Sequence, residues 1–222
     1  MNGIIPVNKP EGITSYDVIR FIKRTFRLRD KIGHAGTLDP LASGILIICV
    51  GKATKMSTKF MNMEKEYEAK LLLGVITDTD DINGKVIKEN EVNVDEKEIK
   101  NIIKSFEGEI EQIPPIVSAI KKEGTPFYKL HRRGISLSPP VRKVFIKKID
   151  IINISLPYVK FRVICSKGTY IRALCRDIGN KLGCGGTQTG LKRIRVGDFK
   201  IEDTVTLEEL EKNGLERYII TV

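Results

Sequence analysis

The feature that most constrains this chain is an uninterrupted apolar run at residues 45–50, which directly follows a loop rich in glycine. A run of this kind is typical of a strand that is covered on both faces. No apolar run in the sequence approaches the roughly 20 residues that a membrane-spanning helix needs. The chain is therefore expected to build its core around a central strand and to have no membrane segment.

Hydrophobic periodicity predicts the elements around that strand. Thr14 or Ser15 can cap a helix whose apolar face lies opposite a basic face. Charged and apolar residues alternate along residues 65–73, with Tyr67, Ala69, Leu71 and Leu73 on the apolar side, which predicts a half-buried strand. Further strands are predicted at residues 3–8, 144–154, 159–165 and 191–196, and further helices at 95–107, 169–183 and 207–212. Strands and helices mix without strict alternation, which predicts an α+β fold with a largely antiparallel sheet in one domain, residues 1–222.

Positive charge is concentrated in short stretches. Lys and Arg number 38 against 28 Asp and Glu, a formal net charge of +10. The basic clusters are Arg20, Lys23, Arg24, Arg27, Arg29 and Lys31; Lys129, Arg132 and Arg133; and Lys192, Arg193 and Arg195. Segregation of this kind favours nucleic acid as a partner, with a merely solvated surface as the alternative.

The four cysteines do not have the spacing of a metal site. No two of them form a C-x-x-C pair, and only two histidines could join them, so no metal is predicted. Small buried thiols in a reducing cytoplasm are expected instead. The N-terminus shows no secretory signal, which also favours a cytoplasmic location. These thiols are Cys49, Cys165, Cys175 and Cys184.

Several familiar motifs fail on inspection. Gly44 and Gly51 are too far apart for a phosphate-binding loop, and Ala53 stands where a hydroxyl residue is needed. Residues 77–84 are acidic, but Thr79 and Asn90 occupy the two end positions of a calcium loop that need carboxylates. An acidic hairpin turn is the preferred interpretation there.

The most informative stretch is residues 33–44, Gly-His-Ala-Gly-Thr-Leu-Asp-Pro-Leu-Ala-Ser-Gly. It is predicted to be a tight loop between the basic helix and the buried strand, with glycines that permit close backbone approach. Judged alone, Asp39 could be a turn residue that satisfies its own backbone. Judged alone, His34 could be an ordinary loop histidine.

This stretch resembles the catalytic motif of the TruB family of tRNA pseudouridine synthases. Other segments match the family in the expected order: residues 3–12, 65–67, 77–84, 112–119, 165–172 and 191–193. Together they cover residues 3 to 212, nearly the whole chain. The resemblance implies isomerisation of the T-loop uridine at conventional tRNA position 55, with tRNA as partner and with neither cofactor nor obligatory protein partner.

The resemblance also implies roles for particular residues. Asp39 is the catalytic carboxylate, and Arg172 is the arginine that pairs with it. Tyr67 stacks on the uracil, and Leu191 forms an apolar wall beneath the base. His34 stacks in the RNA where the target base was. Lys9 and Tyr170 support the catalytic loop and the pocket.

The chain departs from the family pattern in two places. Val117 stands where the family usually has an aromatic residue. Family members also usually continue into a C-terminal PUA-type RNA-binding domain. The sequence offers too few residues after the matched segments for such a domain, so none is expected here. Residues 110–140 are predicted to form an arm that grips the RNA.

Three alternatives remain at this stage. A non-catalytic RNA-binding or RNA-folding module fits the charge equally well but gives Asp39, Tyr67 and Arg172 no joint role. A guide-RNA-dependent pseudouridine synthase would rely on a PUA domain and protein partners. A glycoside hydrolase would need two cooperating carboxylates, and the loop offers one.

Overall fold

The computed structural model describes residues 1–118, 121–122, 125–127, 137 and 139–222. Of the 31 residues of the arm predicted at residues 110–140, 14 lie outside the described residues. The described chain forms two compact units, residues 1–68 with 191–222, and residues 69–190. Two strands, β4 (Lys65–Leu73) and β12 (Gly186–Val196), have one end in each unit.

The first unit is organised around β3 (Ala42–Val50), the predicted central strand. One edge of β3 pairs antiparallel with β1 (Gly3–Lys9) along its whole length. The opposite edge is shared: β12 pairs in parallel with its first residues, and β2 (Ile32–Ala35) pairs antiparallel with its last ones. A short strand, β13 (Phe199–Lys200), completes this part of the sheet beside β12.

Both faces of β3 are buried, as its unbroken apolar run predicts. Leu46, Ile48 and Val50 belong to one apolar cluster. Ile45 and Ile47 belong to another on the opposite face. This part of the prediction is confirmed.

Helix α1 (Ser15–Thr25) covers the first of these faces through Val18, Ile19 and Ile22. Thr14 caps it as predicted: its hydroxyl accepts from the backbone of Asp17, whose carboxylate accepts from the backbone of Thr14. The unit also contains a 3-10 turn at Gly51–Met56, α2 (Ser57–Asn62), α5 (Leu207–Asn213) and 3-10 turns at Ile201–Asp203 and Glu216–Tyr218.

The second unit is built on strands in the order β4, β11 (Tyr158–Cys165), β10 (Arg142–Ser155) and β7 (Gly108–Gln112), and β10 pairs antiparallel with both β11 and β7. Helix α3 (Glu96–Lys104), capped by Asp95, buries Ile99 and Ile103. Helix α4 (Ile171–Lys181) buries Leu174 and Ile178. The remaining strands are β5 (Val75–Thr77), β6 (Val86–Glu89), β8 (Lys121–Lys122) and β9 (Thr125–Pro126).

The α+β class and the mixed sheet are confirmed, and the acidic segment is the turn of the β5–β6 hairpin, as preferred. Two expectations were wrong in detail. Residues 32–35 are a strand rather than part of a loop, and β12 begins at Gly186 rather than near Leu191. The four cysteines are free and buried, as expected. Among the described residues, no helix is long and apolar enough to span a membrane.

Candidate active site

Asp39 lies in the loop that connects β2 to β3. The loop begins where β2 ends, opposite Ile47, and enters β3 at Ala42, where β12 pairs with the same edge of β3. The backbone carbonyl of Asp39 accepts a hydrogen bond from Ala42 N at 3.0 Å, and its side chain is half-buried. The carboxylate is therefore held at the start of the central strand, partly open to solvent.

Arg193 fills the gap between the two strands on that edge. It is 2% exposed, and its Nε donates to Ile45 O at 2.7 Å while Nη2 donates to Gly36 O at 2.9 Å. One guanidinium thus satisfies a carbonyl of β3 that neither neighbouring strand pairs, and fastens the beginning of the loop to it. A Cβ at Gly44 would lie 2.2 Å from Arg193 O, so only glycine permits this approach of β12 to β3.

Ser15 holds the residue that precedes Asp39. Its hydroxyl donates to Leu38 O and accepts from Leu38 N, both at 2.9 Å. Both Ser15 and Leu38 are buried, so neither backbone group of Leu38 could find water in place of the hydroxyl. The first turn of α1 therefore fixes the backbone next to the carboxylate.

Lys9, at the end of β1, is a second buried cation beside the loop. Its Nζ donates to Pro10 O at 2.8 Å and Ile13 O at 2.7 Å, with Pro40 O at 3.5 Å. Burial lowers the pKa of Lys9 from 10.5 to about 8, and the negative charge of Asp39 opposes that shift. Lys9 thus links the turn after β1 to Pro40, the residue after Asp39.

His34, Tyr67 and Leu191 occupy three different strands of the first unit. His34, on β2, pairs with Ile48 of β3. Its buried Nδ1 has no hydrogen-bond partner in the described part of the chain. Burial, and then the charge of Arg193, lower the pKa of His34, which favours the neutral imidazole. Tyr67 is 8% exposed on β4, and Leu191 pairs with Ala42 at the end of the loop that carries Asp39.

Arg172 lies in the second unit, in the first turn of α4, and is 4% exposed. Its Nη1 donates to Thr79 O at 3.1 Å and its Nη2 donates to Val117 O at 2.9 Å. Nη1 also lies 3.5 Å from the carboxylate of Asp81. Val117 contributes through its backbone, so the missing aromatic side chain at that position does not affect this contact.

Asp81 organises the acidic turn that contacts Arg172. Its Oδ1 accepts from the Thr79 hydroxyl and from Asn83 N, both at 3.0 Å. Its neighbour Asp80 has a φ of +61° and pairs with Arg176 at 2.8 Å. The carboxylates of this turn are thus used to build the turn and to hold two arginines of α4.

Tyr170 precedes α4 and is held through its backbone. Its N donates to Gln112 Oε1 at 2.8 Å, and its O accepts from Gln112 Nε2 at 3.1 Å. Gln112 is buried at the end of β7. This exchange fixes the start of the helix on which Arg172 lies.

The structure therefore gathers Lys9, Asp39 and Leu191 around one loop of the first unit, and Tyr170 and Arg172 at the start of α4 in the second. The approach of these last two to Asp39 stays a prediction. The sequence analysis did not predict that Ser15 and Arg193 hold the loop around Asp39, although both residues lie in or beside matched segments. Among the described residues, no group of three or more His, Cys, Asp or Glu side chains could hold a metal ion.

Comparison with known families agrees with the resemblance noted in the sequence. A model of the TruB family pseudouridylate synthase N-terminal domain matches residues 23–171. A model of the tRNA pseudouridylate synthase B C-terminal domain matches residues 172–218. The two matches adjoin inside α4, between Ile171 and Arg172.

Relatives and solved structures extend this agreement. The tRNA pseudouridine synthase B of Clostridium tetani is 52% identical over 99% of this chain and 76% of its own length. That of Clostridium kluyveri is 51% identical over 100% of this chain and 76% of its own length.

A chain in a Cbf5–Nop10–Gar1 complex superposes with a TM-score of 0.74 at 35% identity, over 95% of this chain and 54% of that one. A chain in an H/ACA RNP bound to a substrate RNA gives 0.71 at 32% identity, over 95% of this chain and 52% of that one. This chain thus spans little more than half of those solved chains. With both family models matched in order and half of its positions shared with curated relatives, the chain belongs to the TruB family of pseudouridylate synthases.

Proposed function

We propose that this chain converts a uridine in the T loop of tRNA to pseudouridine, with Asp39 as its catalytic carboxylate. The family membership and the name shared by the relatives, tRNA pseudouridine synthase B, support the reaction and the class of RNA. The carboxylate is proposed from the motif around Asp39 with support from the geometry of the first unit, and the loop of the tRNA is proposed from the resemblance of that motif alone.

The observation that carries the assignment is the way the loop around Asp39 is held. A buried arginine, a buried serine and a buried lysine each bind backbone groups of this loop or of the strand it enters. Several buried groups that fix one short backbone segment are expected where a side chain must be placed within a fraction of an ångström of a reacting atom. A surface turn with an ordinary aspartate would not need them.

The chemistry requires only a positioned carboxylate and proton transfer. The C1′–N1 bond of the uridine breaks, the uracil turns, and a bond forms from its C5 to C1′. The proton on C5 is lost and N1 gains one, so no electrons and no external group enter or leave. Asp39 acts on the sugar or the base during this exchange, and no cofactor is required.

The other residues receive roles that suit their surroundings. Tyr67, almost fully buried on β4, stacks on the uracil, and Leu191 forms the wall beneath it. Arg172 pairs with Asp39, and Tyr170 supports the pocket. His34 enters the space that the target base leaves, and its neutral imidazole stacks there as an uncharged ring. Stacking returns about 1–3 kcal/mol, comparable with the few kcal/mol that extruding a base requires.

The chain is further proposed to act in the cytoplasm on tRNA alone, without an obligatory protein partner. Its buried free thiols suit a reducing compartment. The solved neighbours, in contrast, were determined within complexes with other proteins, and one of them was bound to a substrate RNA. Assays with purified chain and no added protein or guide RNA separate the two modes of action.

The test is release of tritium from a transcript of the T stem-loop labelled at C5 of its uridines. Purified chain is expected to release the label of one uridine per transcript, and mapping should place one pseudouridine in the loop. A stem-loop in which that uridine is replaced by cytidine is the control and should release none. Tight binding without release, from both the stem-loop and full-length tRNA, would favour the non-catalytic RNA-binding alternative.

A further inference from the structure

The exposed face of α1 and the turn after it carry a concentration of positive charge that the catalytic loop does not use. Residues 16–31 contain six Lys and Arg against two Asp. All six cations are exposed, and they are named here the basic ridge: Arg20, Lys23, Arg24, Arg27, Arg29 and Lys31.

Most of the ridge is electrostatically unsatisfied within the protein. Arg20 pairs with Asp17, and Asp30 pairs with the amino group of Met1 at 2.9 Å. The other five cations form no ion pair with any residue in the described parts of the chain. Like charges at this density repel one another, so the ridge is expected to gain free energy from a polyanion.

Helix electrostatics account for only part of this pattern. Cations in the last turn of a helix interact favourably with its dipole, which explains Lys23 and Arg24. The dipole does not explain Arg27, Arg29 and Lys31, which follow the helix.

Arg27 provides a second, independent observation. Its φ is +47°, in the left-handed region, at the position after a helix where glycine is usually found. The bond from Leu28 N to Lys23 O closes the helix around it. Arg27 thus places a long cationic side chain on a backbone conformation that disfavours side chains. Backbone strain of this kind occurs more often at functional sites than elsewhere.

The ridge also borders a groove of suitable chemistry. A cavity of about 700 Å³ is lined by Arg20, Lys23 and Arg24, by the half-buried Phe21 and Leu28, and by Asp17, whose carboxylate is already paired with Arg20. Cations beside an apolar floor suit a sugar–phosphate chain, whose phosphates are charged and whose sugars are not.

The same helix is attached to the catalytic loop. Ser15, in its first turn, binds both backbone groups of Leu38, the neighbour of Asp39. With a rise of about 1.5 Å per residue, the cations of α1 begin roughly 8 Å along the helix from that attachment. When a uridine of an RNA strand reaches Asp39, the neighbouring nucleotides of that RNA strand therefore lie near the basic ridge.

We propose that the basic ridge binds the sugar–phosphate backbone of the RNA beside the uridine that Asp39 acts on. This inference rests on the proposed function for the identity of the RNA. The ridge binds phosphates, so it adds affinity and positions the strand without reading its sequence.

The first test removes two exposed cations of the helix, as Lys23→Gln with Arg24→Gln. The control, Lys97→Gln with Lys100→Gln, removes two exposed lysines from α3. Dissociation constants for the T stem-loop are measured from low to high salt. For the ridge variant, the slope of log affinity against log salt should fall by about 2, because each removed cation no longer neutralises a phosphate. A slope and an affinity equal to those of the control would overturn the proposal.

The second test uses the strained position. Arg27→Gly should leave the Tm unchanged or raised, because glycine adopts the left-handed backbone freely. It should nevertheless bind the stem-loop several-fold more weakly and reduce the salt slope by about 1. A folded Arg27→Gly variant that binds as tightly as the unaltered chain would contradict the role given to Arg27.

Both tests measure binding rather than turnover, which separates this inference from the proposed function. Binding that depends on the ridge, with no pseudouridine formed by the unaltered chain, would refute the proposed function alone. Pseudouridine formation by the unaltered chain, with ridge variants that bind like the control, would refute the ridge alone.

Discussion

The cations beside the loop that carries Asp39 and the cations of the basic ridge lie in the same compact unit but in opposite environments. Lys9 and Arg193 are buried, and backbone carbonyls accept hydrogen bonds from both. The ridge cations are exposed, and most have no ion-pair partner in the described chain. The comparison teaches that positive charge has two uses here: buried charge fixes the loop that carries Asp39, and exposed charge is available to the substrate.

Stability should respond most strongly to the loss of Arg193. Arg193→Met leaves the buried Ile45 O and the half-buried Gly36 O without their donor, and each such loss costs up to about 1–3 kcal/mol. We expect the free energy of unfolding to fall by about 3–5 kcal/mol in denaturant titration. The neighbouring exposed Lys192→Met should change it by less than about 0.5 kcal/mol. If Arg193→Met and Lys192→Met lowered the free energy of unfolding by similar amounts, the stabilising role given to the buried Arg193 would be contradicted.

Ser15→Ala tests whether the loop is held by several groups or by arginine alone. The variant leaves both backbone groups of Leu38 unpaired, and we expect the free energy of unfolding to fall by about 1–3 kcal/mol. Turnover should fall more than RNA affinity, because the backbone next to Asp39 is loosened while the ridge is intact. For comparison, Ser43→Ala removes a half-buried hydroxyl that has no hydrogen-bond partner in the described residues. A Ser15→Ala variant as stable as Ser43→Ala would contradict the role of the Ser15 hydroxyl.

The buried Lys9 should give the protein a distinctive dependence on pH. Its pKa in the folded state, about 8, lies below its ordinary value of 10.5, so the unfolded chain binds the proton more tightly. Between these values the unfolded state carries more protons, and Lys9 makes the free energy of unfolding rise with pH. The difference in this free energy between the unaltered chain and Lys9→Met should therefore shift in favour of the unaltered chain from pH 8 to 10.5. A pH-independent difference would show that burial does not perturb Lys9.

The smallest effect on stability is expected for the ridge itself. Lys23→Gln with Arg24→Gln removes charges that no described residue pairs and that only the dipole of α1 stabilises, so the free energy of unfolding should fall by less than about 1 kcal/mol. Differential scanning calorimetry on the samples used for the salt titrations measures this change in stability. A large destabilisation would mean that these cations serve the fold rather than a partner.

Strong local patterns made much of the first unit predictable. The apolar run of β3 predicted a strand covered on both faces, and Thr14 predicted the start of α1; both are confirmed. β2 was missed because its four residues, Ile-Gly-His-Ala, have too little periodicity to indicate a strand. The first half of β12 is polar, and it is a strand only because its neighbours in the sheet pair with it.

The candidate site was predictable to a different extent. The motif located Asp39 and Lys9, and the segments with Tyr170 and Arg172, because their order along the chain is specific. The role of Arg193 was not predictable, since arginine is almost never fully buried and nothing local marks the exception. Its position follows from the gap on the edge of β3, which exists only once β2 and β12 have both paired there. Interactions that depend on distant strands leave little trace in a single sequence.

The central claim is that Asp39 performs the chemistry while other residues bind the RNA. Asp39→Asn preserves the shape of the side chain and removes its charge; Asp198→Asn, at an exposed turn, is the matched control. Tritium release from the labelled stem-loop and the dissociation constant for the same RNA should be measured for both variants. The account predicts that Asn at position 39 abolishes release and leaves the dissociation constant within about threefold, since every cation that binds a phosphate is still present. Release by Asp39→Asn at the rate of the control would contradict it.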